Sequence, residues 1–101
     1  MNTYSGTFDD TNWYQTFING KTFNPAPSLK VRSHSPDGFA WGYGGSGPSQ
    51  LALAILLKET DRETAEKLYM RFKAEVVAAF PKEKWEYTSE QVNAWIQTHE
   101  K

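Results

Sequence analysis

Residues 41–57 read WGYGGSGPSQLALAILL: four glycines in six positions, a proline, and then a long apolar run. From Leu51 to Leu57 no phase of a 3.6-residue turn carries a polar side chain, so a helix here has no face to give to water. It has to be a central helix, covered by a sheet and by other helices. Pro48 suits a first helical turn, where its missing amide costs nothing. Ser46 or Gly47 is the expected N-cap, and the helix is expected to run to about Lys58.

Composition shifts around this helix. The residues before it hold most of the aromatics and most of the glycine and proline, whereas those after it carry interspersed acids and bases in the manner of solvated helix faces. One domain is expected over residues 1–101, sheet-rich from 1 to 45 and helical from 46 to 101. Its class is α+β: a small antiparallel sheet built from N-terminal hairpins, packed on the buried central helix, with two further helices.

Asn19-Gly20 lies between aromatic and β-branched segments, the strongest short-range signal for a hairpin. Strict alternation along its leading strand puts Trp13 and Phe17 on one face, and Tyr14 and Ile18 on the other. Either both faces are covered, or one is an aromatic patch of the sort that meets a partner. Trp13, Tyr14 and Phe17 are therefore candidate partner-surface residues.

Asn24–Ser28, NPAPS, reads as a break before a second strand pair. Ser35-Pro36-Asp37-Gly38 is a turn with proline at its second position and a left-handed glycine. Strands on either side of it would set Ser33 opposite Trp41, Arg32 opposite Gly42, Val31 opposite Tyr43 and Lys30 opposite Gly44. That register gathers Leu29, Val31, Phe39, Trp41 and Tyr43 on one apolar face. Thr60 with Glu63 reads as a capping box opening a helix whose stripe is Ala65, Leu68, Tyr69, Phe72, Val76 and Ala79, stopped by Pro81. Trp85 and Tyr87 suit a short edge strand. Thr88 with Gln91 is a second capping box, opening a last helix that buries Val92, Trp95 and Ile96.

The glycine-rich segment comes close to three catalytic motifs and completes none. Gly42, Gly44 and Gly47 satisfy G-x-G-x-x-G, but the chain continues into helices where a dinucleotide fold needs a second parallel strand. Pro48 stands where a P-loop has its lysine, and it also replaces the last glycine of a nucleophile elbow centred on Ser46. An anion site of backbone amides survives: Gly44, Gly45, Ser46 and Gly47 at a helix N-terminus, with Arg32 and Lys30 bordering the loop. The competing reading gives the glycines only a tight join between strand and helix, and it carries more weight.

His34 near Asp37 reads as a surface histidine beside a turn, His99 as a cation suited to a helix C-terminus, and Glu59 and Asp61 as solvated or capping acids. The absence of cysteine excludes thiolate chemistry, and no residues have metal-ligand spacing. No cofactor and no catalytic residue are expected. A formal charge of −1 lacks the basic footprint of phosphate-backbone binding. No apolar run approaches the ~20 residues of a bilayer span, so a cytoplasmic protein is expected.

The block WGYGGSGPSQLALAILL resembles the signature of a family of small domains of unknown function found in phages, plasmids and bacterial genomes, close to WGYGGSGPxQLALAIL. SHSPDGF at 33–39 and AEKLYMRFKAEVVAAFP at 65–81 fit the same pattern, so the resemblance spans Tyr4 to Trp95. It implies no catalytic residue. It does imply a mobile-element setting, in which small domains without enzyme motifs act by binding a host or phage protein, components of host defence systems included. Two functions are expected in that order: protein binding, and anion or nucleotide binding at the glycine-rich turn.

Overall fold

Asn19 and Gly20 take left-handed backbone conformations, with φ of 53° and 80°. Such a pair forms the two-residue turn whose twist matches that of its strands. This turn joins β2 (Trp13–Ile18) to the two-residue β3 (Lys21–Thr22), in a computed structural model that describes residues 1–100. A further strand, β1 (Thr3–Asp9), pairs antiparallel with β2, and β4 (Lys84–Thr88) returns from late in the chain to the other side of β1. The sheet is antiparallel throughout, in the order β3-β2-β1-β4.

Tyr4, Gly6 and Phe8 of β1 share the inner face with Trp85 and Tyr87 of β4, and with Tyr14, Thr16 and Ile18 of β2. At Gly6 a side chain has no room: a Cβ there would lie 2.3 Å from Trp85 Nε1 and 2.7 Å from the Trp41 ring. The two indoles meet edge to face over this gap, 5.5 Å between centroids. Trp41 Nε1 donates to the Lys82 carbonyl at 2.9 Å, whereas the buried Trp85 Nε1 has no oxygen or nitrogen acceptor.

The central helix is α2 (Ser46–Glu59), and from Gly47 to Leu56 every residue in it is buried. This is the wrapped helix expected from the apolar run. Its N-cap is Gly45, one residue earlier than anticipated, and it has no side-chain cap. An antiparallel neighbour, α3 (Arg62–Glu75), buries Ala65, Leu68, Tyr69 and Phe72. The cap of α3 is Asp61 rather than Thr60: its carboxylate accepts from the Thr64 amide and hydroxyl, at 3.2 and 2.7 Å. The chain then tightens into a single 3-10 turn at Val77–Ala79, which leaves Ala79 exposed. The last helix, α4 (Ser89–His99), begins with the expected capping box of Thr88 and Gln91 and buries Val92 and Ile96, with Trp95 half-buried.

The second strand pair is not present. In its place Ala26–Val31 forms a short helix, α1, and residues 39–45 run as an irregular segment. NPAPS starts a helix because Pro25 and Pro27 sit where no amide is needed, and Asn24 Oδ1 accepts from the Ala26 amide at 3.0 Å. The turn at Ser35–Gly38 does form, closed by a bond from the Gly38 amide to the Ser35 carbonyl, but it joins no strands. The helical and sheet-rich halves therefore interleave: α1 lies before residue 45, and β4 after it.

One carboxylate ties the two ends of the chain to α2. Glu59 Oε2 accepts from Tyr4 Oη at 2.5 Å, Ser89 Oγ at 2.6 Å and Asn2 Nδ2 at 3.0 Å, and Oε1 accepts from Asn93 at 3.2 Å. Burial pushes this carboxyl up, but the donors Ser89, Tyr4, Asn2 and Asn93 outweigh it and hold the group below its ordinary value. The Tyr4 phenol moves upward, first through burial and then through Glu59. A depressed carboxyl contributes stability above its unfolded pKa and loses it as pH falls through the folded one. Glu59→Gln is therefore expected to destabilise the fold near neutrality. Chemical denaturation of both proteins from pH 7 to pH 3 should show their difference shrinking below about pH 4; a difference independent of pH would contradict this role.

Candidate functional site

Loop geometry decides where the glycine-rich turn points. Gly42, at φ +84°, donates its amide to the Val77 carbonyl at 3.1 Å, which fastens the turn to the 3-10 turn that follows α3. The Tyr43 ring lies against Gly45, where an added Cβ would overlap it. Sequence register placed Tyr43 on a covered apolar face. With no strand pair to cover it, the ring is 50% exposed.

Trp13 is more exposed still, at 66%, and its φ of 58° is unusual for a bulky residue. The cause is the β1-β2 turn. Asp9 Oδ1 accepts from the amides of Thr11 and Asn12, at 2.9 and 2.7 Å, and Trp13 takes the left-handed position that closes the loop, where glycine or asparagine is the usual occupant. This conformation breaks the alternation along β2. The Trp13 indole meets the edge of Phe8, an inner-face residue, at 6.1 Å, and borders the same hollow as Tyr14. Trp13, Tyr14 and Phe17 thus do not form the patch that alternation implied: Trp13 and Tyr14 come together, and Phe17 remains half-buried on the outer face with Gln15.

The hollow has a volume of about 330 Å³. Trp13, Tyr14, Phe39 and Tyr43 line it on the aromatic side, and Ser46 and Gly47, at the start of α2, close its other end. Two features read separately in the sequence, the aromatic hairpin and the glycine-rich turn, therefore share one surface. Tyr14 lines it too, its ring edge-on to buried Trp41 at 4.8 Å.

Arg32 and Lys30 are not part of it. Their placement beside Gly42 and Gly44 depended on a strand pair that the structure replaces with α1. The Arg32 guanidinium instead bonds Glu66 of α3 at 3.0 Å, and Lys30 lies exposed on α1. Asp37 is the one charged side chain on the hollow.

The histidines are occupied elsewhere. His34 Nε2 contacts Tyr69 Oη at 2.6 Å, and its amide donates to Gln50. His99 stacks on Trp95 at 4.0 Å between ring centroids and reaches Glu75 through Nε2 at 2.9 Å. Among the described residues no group of three or more His, Cys, Asp or Glu is placed to hold a metal ion, and no helix is long and apolar enough to cross a membrane. Tyr43, missed as a surface residue, had one visible signal: a large side chain set between glycines is free to leave a strand.

A four-stranded antiparallel sheet with helices on one face, carrying an aromatic hollow and no metal cluster among the described residues, defines a small α+β domain. Residues 4–98 match the family of unknown function DUF6166, and the chain belongs to it. No curated protein and no solved structure matches the chain.

The strain at Trp13 separates stability from recognition. Left-handed backbone at a non-glycine residue costs about 1 to 3 kcal/mol, while the indole is two-thirds exposed and meets Phe8 edge to face. Trp13→Gly is expected to keep or raise the melting temperature. A fall of more than a few degrees would show instead that the indole is a structural element.

Proposed function

We propose that this domain is a non-enzymatic accessory module that works by protein–protein contact through the hollow of Trp13, Tyr14 and Tyr43. The observation that carries this reading is Trp13: a large aromatic held exposed, at a backbone conformation that glycine would adopt without strain. Exposed aromatics beside a rigid pocket are the residues that carry binding energy at protein interfaces. Strain kept at a surface position that folding does not require points to a use at that position. The signature WGYGGSGPSQLALAILL supports the setting, a protein carried by a phage or plasmid that acts on a host or phage partner in the cytoplasm. Components of host defence are among the partners such a module would block.

A second reading has one observation in its favour: the N-terminus of α2 has neither a side-chain cap nor an acid in its first turn, and it opens on the hollow. Free amides there attract an anion. Asp37 on the same hollow, and the capture of Arg32 by Glu66, count against that ligand.

The two readings separate in one comparison. The full chain is immobilised in wild-type, Trp13→Gly and Tyr43→Ala forms and exposed to lysate of the host cell, while melting is followed with ATP and with inorganic phosphate. The expected result is a stoichiometric partner retained by wild type, lost at least tenfold in both variants, and a melting temperature indifferent to either anion. A stabilisation of several degrees by ATP or phosphate, with no partner retained, would overturn the proposal in favour of the anion site.

A further inference from the structure

β2 has an unfinished edge. β3 is two residues long and pairs only with Phe17 and Ile18, after which the chain makes one more bond, from the Phe23 amide to the Thr16 carbonyl. Along a strand the amide and carbonyl of one residue point to the same side, and those of the next residue to the other. Ile18 and Thr16 face β3, so the amide and carbonyl of Tyr14 and the amide of Thr16 face the same way, with no strand beyond them. The opposite border of the sheet is guarded differently, since β4 presents Lys84 and Glu86, exposed charges that discourage pairing. The β2 border carries no charged residue between Trp13 and Ile18.

A second hollow of about 260 Å³ lies against this edge, between β2 and the Ser35–Gly38 turn. It has room for one large side chain. Tyr14, Phe17, Phe23 and Phe39 are among the residues that line it, and its one charged group is Asp37. None of the ion pairs among the described residues engages Asp37. Asp37 also borders the neighbouring hollow of Trp13 and Tyr43, so the two adjoin.

We infer that the partner docks by strand addition: an extended segment of its chain pairs with β2 at Tyr14 and Thr16, and inserts one arginine or lysine side chain into the hollow beside Asp37. Backbone bonds along an open edge supply affinity in such a mode, and a pocket for one side chain supplies selectivity. The aromatic walls accept the aliphatic stem and the face of a guanidinium, and the carboxylate pairs with its charge. A second copy of this chain fits poorly, because its β2 carries no cation to offer Asp37 between Trp13 and Ile18. The inference rests on the protein-binding reading and specifies its geometry.

The test is selection of a displayed library of random dodecapeptides against the full chain, followed by titration of the best binders into isotope-labelled protein. The expected binders are rich in β-forming residues with Arg or Lys at one fixed position. They should protect the Tyr14 and Thr16 amides from exchange, and lose tenfold or more in affinity to Asp37→Asn and more to Asp37→Lys. Asp37 is an exposed turn residue, so both variants are expected to fold; unchanged amide spectra away from the turn check this. Binders that lack a basic residue, or that bind both Asp37 variants as they bind wild type, overturn strand addition with a cationic anchor. If such binders still depend on Trp13 and Tyr43, the protein-binding reading stands without it. No enriched peptide overturns the inference, and partner capture by the wild-type chain then decides the broader reading separately.

Discussion

A single buried amide organises the half of the molecule that has no regular ladder. Gln50 lies in the first half of α2, fully buried. Its Nε2 donates to Ser28 Oγ at 2.9 Å and to the Arg32 carbonyl at 3.0 Å, and its Oε1 accepts from the amides of His34 and Ser35, at 2.7 and 3.1 Å. All four hydrogen-bonding positions of the side chain are used. A chain segment that leaves a helix and crosses buried surface must place its amides and carbonyls somewhere, and here Gln50 receives them. The segment from α1 to Ser35 therefore needs no β partner, and residues 39–45 are released to lead into α2 at the angle that Gly45 and Gly47 allow. At Gly47 Ala40 packs so close that an added Cβ would lie 2.7 Å from the Ala40 Cβ and 3.1 Å from its amide nitrogen.

The exposed surface follows from that arrangement. Had residues 29–45 formed a strand pair, Tyr43 would be covered and the β2 edge would have had candidate strands to pair with. Because the segment is held to α2 instead, the Ser35–Gly38 turn faces β2 across a gap, with Asp37 on one wall and the backbone of Tyr14 on the other. The two hollows are thus consequences of where Gln50 pins the chain. Trp41 anchors the same segment from below, packed between Tyr14 and Trp85 in the space that Gly6 leaves open.

Much of this was legible in the residues. The buried central helix, the Asn19-Gly20 turn, the Thr88–Gln91 box and the short strand of Trp85 and Tyr87 follow from period, turn chemistry and capping, all local properties. The second strand pair failed because its alternation was real but its backbone had a competing partner. Asn24-Pro25 with Pro27 is a helix start as well as a strand break, and a lone glutamine ahead of an apolar run marks a buried polar hub only once its long-range partners are known. β1 is not apparent in TYSGTFD, whose mixed small residues carry little apolar alternation. Of the candidate site, Trp13 and Tyr14 and the pair Ser46 and Gly47 were named from the sequence, but their meeting depends on the left-handed turn at Trp13. Arg32 and Lys30 were drawn in by register alone. Glu59 was read as a solvated acid because its donors come from residues 2, 4, 89 and 93, distances that no local pattern reports.

The most direct measurement of the account is amide hydrogen exchange and chemical denaturation of Gln50→Met, which keeps the length and volume of the side chain and removes its four bonds. Unsatisfied buried donors and acceptors cost about 1 to 3 kcal/mol each before relaxation. The expected loss is about 3 kcal/mol or more, with protection lost first at the His34 and Ser35 amides while the Asn19-Gly20 hairpin keeps its own. A variant as stable as the wild type, with His34 and Ser35 still protected, would contradict the claim that this side chain holds the segment in place.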